Sequence, residues 1–148
     1  MLAKLFGGAM ERRDYQTNDK GIKVLILSDR LMKRAQALAE DLQRTERVQV
    51  VGIAEDRQQA LSIAKEHSFD YLIIVGYLKA ERTYGVIAEL REQQKKFLPV
   101  QWAILDSLIS GFCRRYQIPL KFERTQPLEE FVEFLESHKK DLDLLVQQ

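Results

Sequence analysis

The sequence predicts a doubly wound α/β domain, a five-stranded parallel sheet with helices on both faces. Three observations predict it. Short apolar runs of strand length alternate five times with stretches whose apolar residues recur at helical spacing. The best of those runs, Lys23-Val-Leu-Ile-Leu27 and Tyr71 to Val75, show no polar alternation, as strands buried on both faces require. The length, 148 residues, fits one such domain.

The elements follow in order. Ile22 to Leu27 is the first strand, ended by Ser28-Asp29. Leu31, Ala35, Leu38 and Leu42 then repeat on one face of a helix. Val48 to Ile53 is β-branched and reads as the second strand. Asp56 is placed to cap a helix with Ala60, Leu61 and Ala64 on its apolar side. Tyr71 to Val75 is the third strand. Val86, Ile87 and Leu90 mark a third helix, which dissolves into the polar stretch Arg91 to Lys96. Pro99 opens a fourth strand that runs through Leu105. Asp106 or Ser107 caps a fourth helix carrying Leu108, Ile109, Phe112 and Tyr116. Pro119 ends it, and Leu120 to Phe122 form the fifth strand. Pro127 suits the first turn of a last helix, which carries Leu128, Phe131, Val132 and Leu135.

Residues 1–21 read as a flexible leader, 22–140 as the domain, and 141–148 as a helical extension or tail. Leu142 and Leu145 continue the three-four spacing of the last helix and would lie beyond a domain that ends near Lys139, as a frayed tail, a helix folding back on the domain, a dimer seam or the start of a linker to an output module.

Composition excludes several classes. Lys plus Arg number 23 and Asp plus Glu 22, so no overall basic charge marks a nucleic-acid binder. One cysteine, Cys113, rules out a disulfide framework and a multi-thiolate zinc site. No apolar run is long enough to span a membrane, and the first ten residues lack a secretory signal, which together suggest the cytoplasm. The first turn, Ser28-Asp-Arg-Leu31, has no glycine, and no phosphate-binding loop occurs elsewhere. His67 and His138 read as surface histidines without partners in helical register. Cys113 sits between Phe112 and Arg114-Arg115 in a helix, a place for a structural thiol.

In a parallel sheet of this kind, chemistry sits at the carboxyl ends of the strands, here the loops at Ser28, Ala54, Val75, Leu105 and Arg124. The segments Val50-Val-Gly-Ile-Ala-Glu-Asp56, Gln59-Ala-Leu61, Phe69-Asp-Tyr-Leu-Ile-Ile-Val75 and Gln126-Pro127 resemble the CheY-like receiver domain of bacterial response regulators over about Ile22 to Lys139. The resemblance implies a flavodoxin-like (βα)5 sheet with strand order 2-1-3-4-5. It also implies that an acidic pair after the first strand and an Asp after the third would hold Mg²⁺ and accept a phosphoryl group. Here the acidic pair falls on Ser28 and Asp29, the acceptor on Val75, the small hydroxyl residue near Ile104 and the lysine on Gln126.

A valine offers neither nucleophile nor metal ligand. The expectation is therefore a degenerate receiver, with no enzymatic activity, metal or cofactor, that works by binding protein. The family's partner face, formed by the fourth helix, fifth strand and fifth helix, maps onto Cys113, Arg114, Arg115, Tyr116, Lys121, Arg124, Phe131 and Leu135. A protein partner or a second copy would dock there, and no direct nucleic-acid binding is expected. Two alternatives stand beside this. One is a small-ligand sensor using the altered pocket, and the other a conventional phosphorelay regulator whose acceptor lies elsewhere.

Overall fold

The computed structural model describes residues 21–79, 81–93 and 95–147. Its elements are β1 (Ile22–Leu27), α1 (Met32–Arg44), β2 (Val48–Ala54), α2 (Arg57–Glu66), β3 (Tyr71–Val75), α3 (Glu81–Tyr84), α4 (Val86–Glu92), β4 (Leu98–Ala103), α5 (Ser107–Arg115), β5 (Leu120–Glu123), α6 (Leu128–Ser137) and α7 (Lys139–Gln147). The five strands are all parallel, in the order β2-β1-β3-β4-β5. The predicted fourth and fifth helices are α5 and α6.

Successive strand residues point to opposite faces, and both faces are apolar. Val24, Ile26, Tyr71, Ile73, Val75 and Val100 face α1 and α6, where Ala35, Leu38, Leu42, Phe131, Val132 and Leu135 meet them. Leu25, Leu27, Leu72, Ile74 and Ala103 face the other way, onto Ala60, Ala64, Leu90, Ile109 and Cys113. The β1–β2 pairing slips once, between Val24 and Leu25, so that Val50 and Gly52 flank an unpaired Val51 in β2.

Local signals act largely as their chemistry requires. The Asp56 carboxylate accepts from Gln59 N at 2.8 Å and that of Asp106 from Ile109 N at 2.9 Å, capping α2 and α5. Asp70 Oδ2 accepts from Lys23 N at 2.9 Å and so fixes the start of β3 beside β1. Arg47, in the α1–β2 corner, donates to Glu136 through Nε and Nη2, at 3.1 and 2.6 Å, and to Glu129 through Nη1 at 2.6 Å. This fork ties α6 to the corner between α1 and β2, although its exposure limits what it adds to stability.

Four expectations need correction. The fourth strand stops at Ala103, because the carboxylate of Glu123 captures Leu105 N and turns the chain away. Pro127 precedes the last helix as its cap residue rather than lying in its first turn. His138 does have a partner in helical register: its Nδ1 lies 2.8 Å from Asp141 Oδ2. Leu142 does not project into solvent.

Helix α7 instead folds back under the amino end of the sheet. Leu142 is 5% exposed and joins the α1–α6 core. Lys139 Nζ donates to Gly21 O at 3.3 Å and lies 3.5 Å from Asp70 Oδ2. The buried Tyr71 hydroxyl donates to Leu135 O, and burial raises its phenol above the ordinary range. The side chain of Leu145 lies outside the described residues. Leu142→Ala is expected to lower unfolding free energy by about 2–4 kcal/mol. Leu144→Ala, in contrast, should change it by less than about 0.5 kcal/mol, since Leu144 is exposed. Urea unfolding followed by circular dichroism measures both.

Candidate functional site

The carboxyl edge of the sheet is built from the ends of β1, β3, β4 and β5. Ser28 follows β1 and is fully buried. Its hydroxyl accepts from Leu31 N at 3.1 Å and lies 3.5 Å from Val75 O, to which it donates. Both functions of the hydroxyl are thus engaged in opening α1 and joining β1 to β3. Asp29 points across the edge, where its Oδ1 accepts from Lys79 N at 2.6 Å. The carboxylate thereby anchors the chain that leaves β3.

Val75 ends β3 with 0% exposure and packs into the α1–α6 core. Gly76 follows at φ +69°, a left-handed turn that glycine adopts without steric cost. A Cβ there would lie 2.5 Å from Leu31 Cδ1. Leu31 thus occupies the space directly over the end of the central strand. The sequence brings Ser28, Asp29 and Val75 together. Ile104 and Gln126 lie on the adjoining loops after β4 and β5, both exposed, Ile104 at 48%.

Two polar residues that sequence reasoning passed over hold these loops. Gln101 is fully buried in β4, with Nε2 donating to Ile74 O at 3.2 Å and to Gly76 O. Its Oε1 has no hydrogen-bond partner among the described residues. A glutamine inside the run Val100-Gln-Trp-Ala103 was the signal. Glu123 ends β5, accepting from Leu105 N at 3.0 Å and from Thr125 Oγ1 at 3.1 Å. The Leu105 N–H is the chief cause that holds its carboxyl below the usual range.

Beside the edge runs a column of rings. Arg30 lies 4.3 Å over Tyr77, Tyr77 stacks at 6.1 Å on Phe112, Phe112 at 5.2 Å on Tyr84, and Tyr84 at 4.4 Å on Tyr116. Tyr84 also accepts from Leu78 N at 3.0 Å, and burial pushes its phenol up to about 12. The column packs the loop after β3 against α5.

The predicted partner face divides in two. Cys113, Phe131 and Leu135 point inward and belong to the core, because the apolar sides of α5 and α6 carry them onto the sheet. Burial raises the Cys113 thiol rather than activating it. Arg114, Arg115 and Lys121 are exposed, while Tyr116 and Arg124 are half-buried. The outer surface of α5 and β5 is therefore cationic.

Gly76→Ala should destabilise the fold by about 2 kcal/mol, by forcing a side chain into positive φ and against Leu31. Chemical denaturation checks it. Glu123 supplies a pH dependence of definite sign. Its folded carboxyl lies below its unfolded value, so its contribution is complete above the unfolded value and lost as pH falls through the folded one. Thermal melts across the acid range should therefore drop more steeply for the wild type than for Glu123→Gln.

No protein-family model and no curated protein matches the chain. Solved structures do. The receiver domain of response regulator 1452 from Francisella superposes with TM-score 0.63 at 17% identity, covering 82% of this chain and 98% of that one. The signal receiver domain of the putative response regulator NarL from Mycobacterium tuberculosis gives TM-score 0.66 at 18% identity, covering 81% and 97%. Chemotaxis protein CheY4 of Vibrio cholerae gives 0.63 at 18%, covering 79% and 98%. With the parallel 2-1-3-4-5 sheet, these likenesses identify the fold: the chain has the architecture of a CheY-like response-regulator receiver domain.

Proposed function

We propose that this chain is a pseudo-receiver, a non-enzymatic, phosphorylation-independent protein-interaction module of bacterial signal transduction, acting in the cytoplasm. The observation that carries this is Val75. It stands at the carboxyl end of the central strand, where the resemblance puts the phosphate-accepting aspartate, and it is fully buried. Its neighbours support the same reading. The Ser28 hydroxyl is committed to backbone partners, and Asp29 holds the loop after β3. Gln126 lacks the charge with which the family's lysine would pair a phosphoryl group. Leu31 over Gly76 gives the small-ligand alternative little room at this point.

The partner, another protein or a second copy, docks on α5, β5 and α6. The exposed Arg114, Arg115 and Lys121 remain from the face first assigned to it. The test uses the full chain with acetyl phosphate and Mg²⁺, followed by intact-mass spectrometry. No phosphoryl adduct is expected. A stable aspartyl phosphate, at Asp29 or elsewhere, would overturn the proposal.

A further inference from the structure

Helices α6 and α7 are separated by a single residue. His138 stands between Ser137 and Lys139 with φ −95° and ψ 3°, the region that borders the α-helical one. The hydrogen-bond ladder of α6 runs into it. His138 N donates to Phe134 O at 3.2 Å, and Asp141 N donates to His138 O at 2.9 Å. No glycine or proline lies anywhere in 128–147. Bends in helices come from those residues or from a side chain that competes for the ladder. Here the competitor is the Ser137 hydroxyl, which donates to Phe134 O at 2.9 Å.

The apolar pattern ignores the bend. Leu128, Phe131, Leu135, His138, Leu142 and Leu145 recur at alternating three- and four-residue steps, the period of one unbroken helix. The side-chain contacts at the joint also suit a straight helix. His138 Nδ1 meets Asp141 three residues on, and the His138 ring lies 4.7 Å from that of Phe134 four residues back. Residues at both spacings are neighbours on a helix surface. What holds the bend is therefore docking at the amino edge of the sheet. Leu142 enters the α1–α6 core, and Lys139 reaches Gly21 O and Asp70. Local preference and tertiary contact thus disagree at one residue.

A second copy of the chain removes that disagreement. If its groove receives α7, every docking contact is kept and α6 can run straight into α7. The fit is already on view, because the groove is the one that α7 fills within its own chain. Exchange of an identical element is a low-cost route to a dimer, and a joint this short favours it.

We infer that α7 is an exchangeable arm. In the dimer, α6 and α7 form one straight helix, and each α7 seats beneath the sheet of the other copy with Leu142 in that copy's α1–α6 core. The two copies join through their amino edges. The inference uses no residue of the carboxyl edge and stands apart from the pseudo-receiver reading.

Sedimentation velocity on the full chain should show a dimer that gains population over about a hundredfold rise in concentration. Ser137→Ala removes the competing hydroxyl and leaves the docking contacts in place. It should tighten the dimer at least about tenfold, since each dimer holds two joints and alanine favours helix. Two glycines inserted between His138 and Lys139 free α7 to fold back on its own sheet, and should weaken the dimer at least about tenfold. Exchange itself is read by cross-linking. In a Cys113→Ser background, Gly21→Cys and Lys139→Cys chains are mixed at a dimerising concentration and treated with a short bis-maleimide. Peptide mapping should find a covalent dimer linked between positions 21 and 139, because Lys139 of one copy then lies at Gly21 of the other. A chain that stays monomeric both as wild type and as Ser137→Ala, a dimer indifferent to the glycine insertion, or a dimer without the 21–139 link would each overturn the inference. None of these outcomes changes the acetyl phosphate result.

Discussion

Strand β3 is paired on both edges and buried on both faces, and the carboxyl edge is arranged around how it ends. Each of its five side chains is apolar or, in Tyr71, has its hydroxyl bonded within the fold. Because the last of them, Val75, is packed as core, the chain must leave the sheet abruptly. It does so through Gly76 in a left-handed turn that only a residue without Cβ adopts cheaply beneath Leu31. The position that could have faced solvent as a reactive side chain is instead part of the hydrophobic interior.

The polar groups near this ending are spent on main-chain partners. Ser28 serves Leu31 and Val75, Asp29 serves Lys79, Gln101 serves Ile74 and Gly76, and Glu123 serves Leu105. Each bond fixes a loop leaving the sheet. A switch built on covalent modification needs oxygens that can be reassigned to a metal and a phosphoryl group, and loops that move when they are. On the proposed reading, Ser28 and Asp29 hold loops in place instead. The orphaned Oε1 of Gln101 is the exception, a buried acceptor tolerated because the amide's other end ties β4 to the turn after β3.

Much of this was legible in the sequence. The strands were visible because burial on both faces leaves no polar residue to interrupt a run such as Tyr71 to Val75. Helix caps were visible because Asp56 and Asp106 have a short-range task. Several of the failures share a physical cause: they concern which side of an element faces in. Phe131 and Leu135 resembled interface residues only because family position, not helical phase, was used to place them. Ile104 and Leu105 continue an apolar run, yet they lie outside the sheet because Glu123, eighteen residues from Leu105, captures its amide. For Leu142 the spacing left a frayed tail, a folded-back helix and a seam all open, because no local pattern decides whether α7 turns back beneath the sheet. His138 and Asp141 are three residues apart, so that pair was within reach of spacing alone.

If the proposed reading holds, a module without a covalent switch controls its partners by affinity and abundance, since a ligand shifts an equilibrium only as far as it prefers one state. Fixed loops then become an advantage, because a surface already in its binding shape loses little freedom when a partner arrives. On the proposed reading, the cost appears instead in the unbound chain. Gly111 weakens α5 where alanine would strengthen it, and Leu108 and Ile104 keep apolar surface in water. Both penalties fall on α5 and the β4–α5 loop before it, which are joined to the carboxyl edge by the aromatic column and by the Glu123 carboxylate. Stability is thus given up at α5 and held firmly at the sheet ending beside it, the distribution expected if contact with another protein, rather than chemistry, occupies this end of the fold.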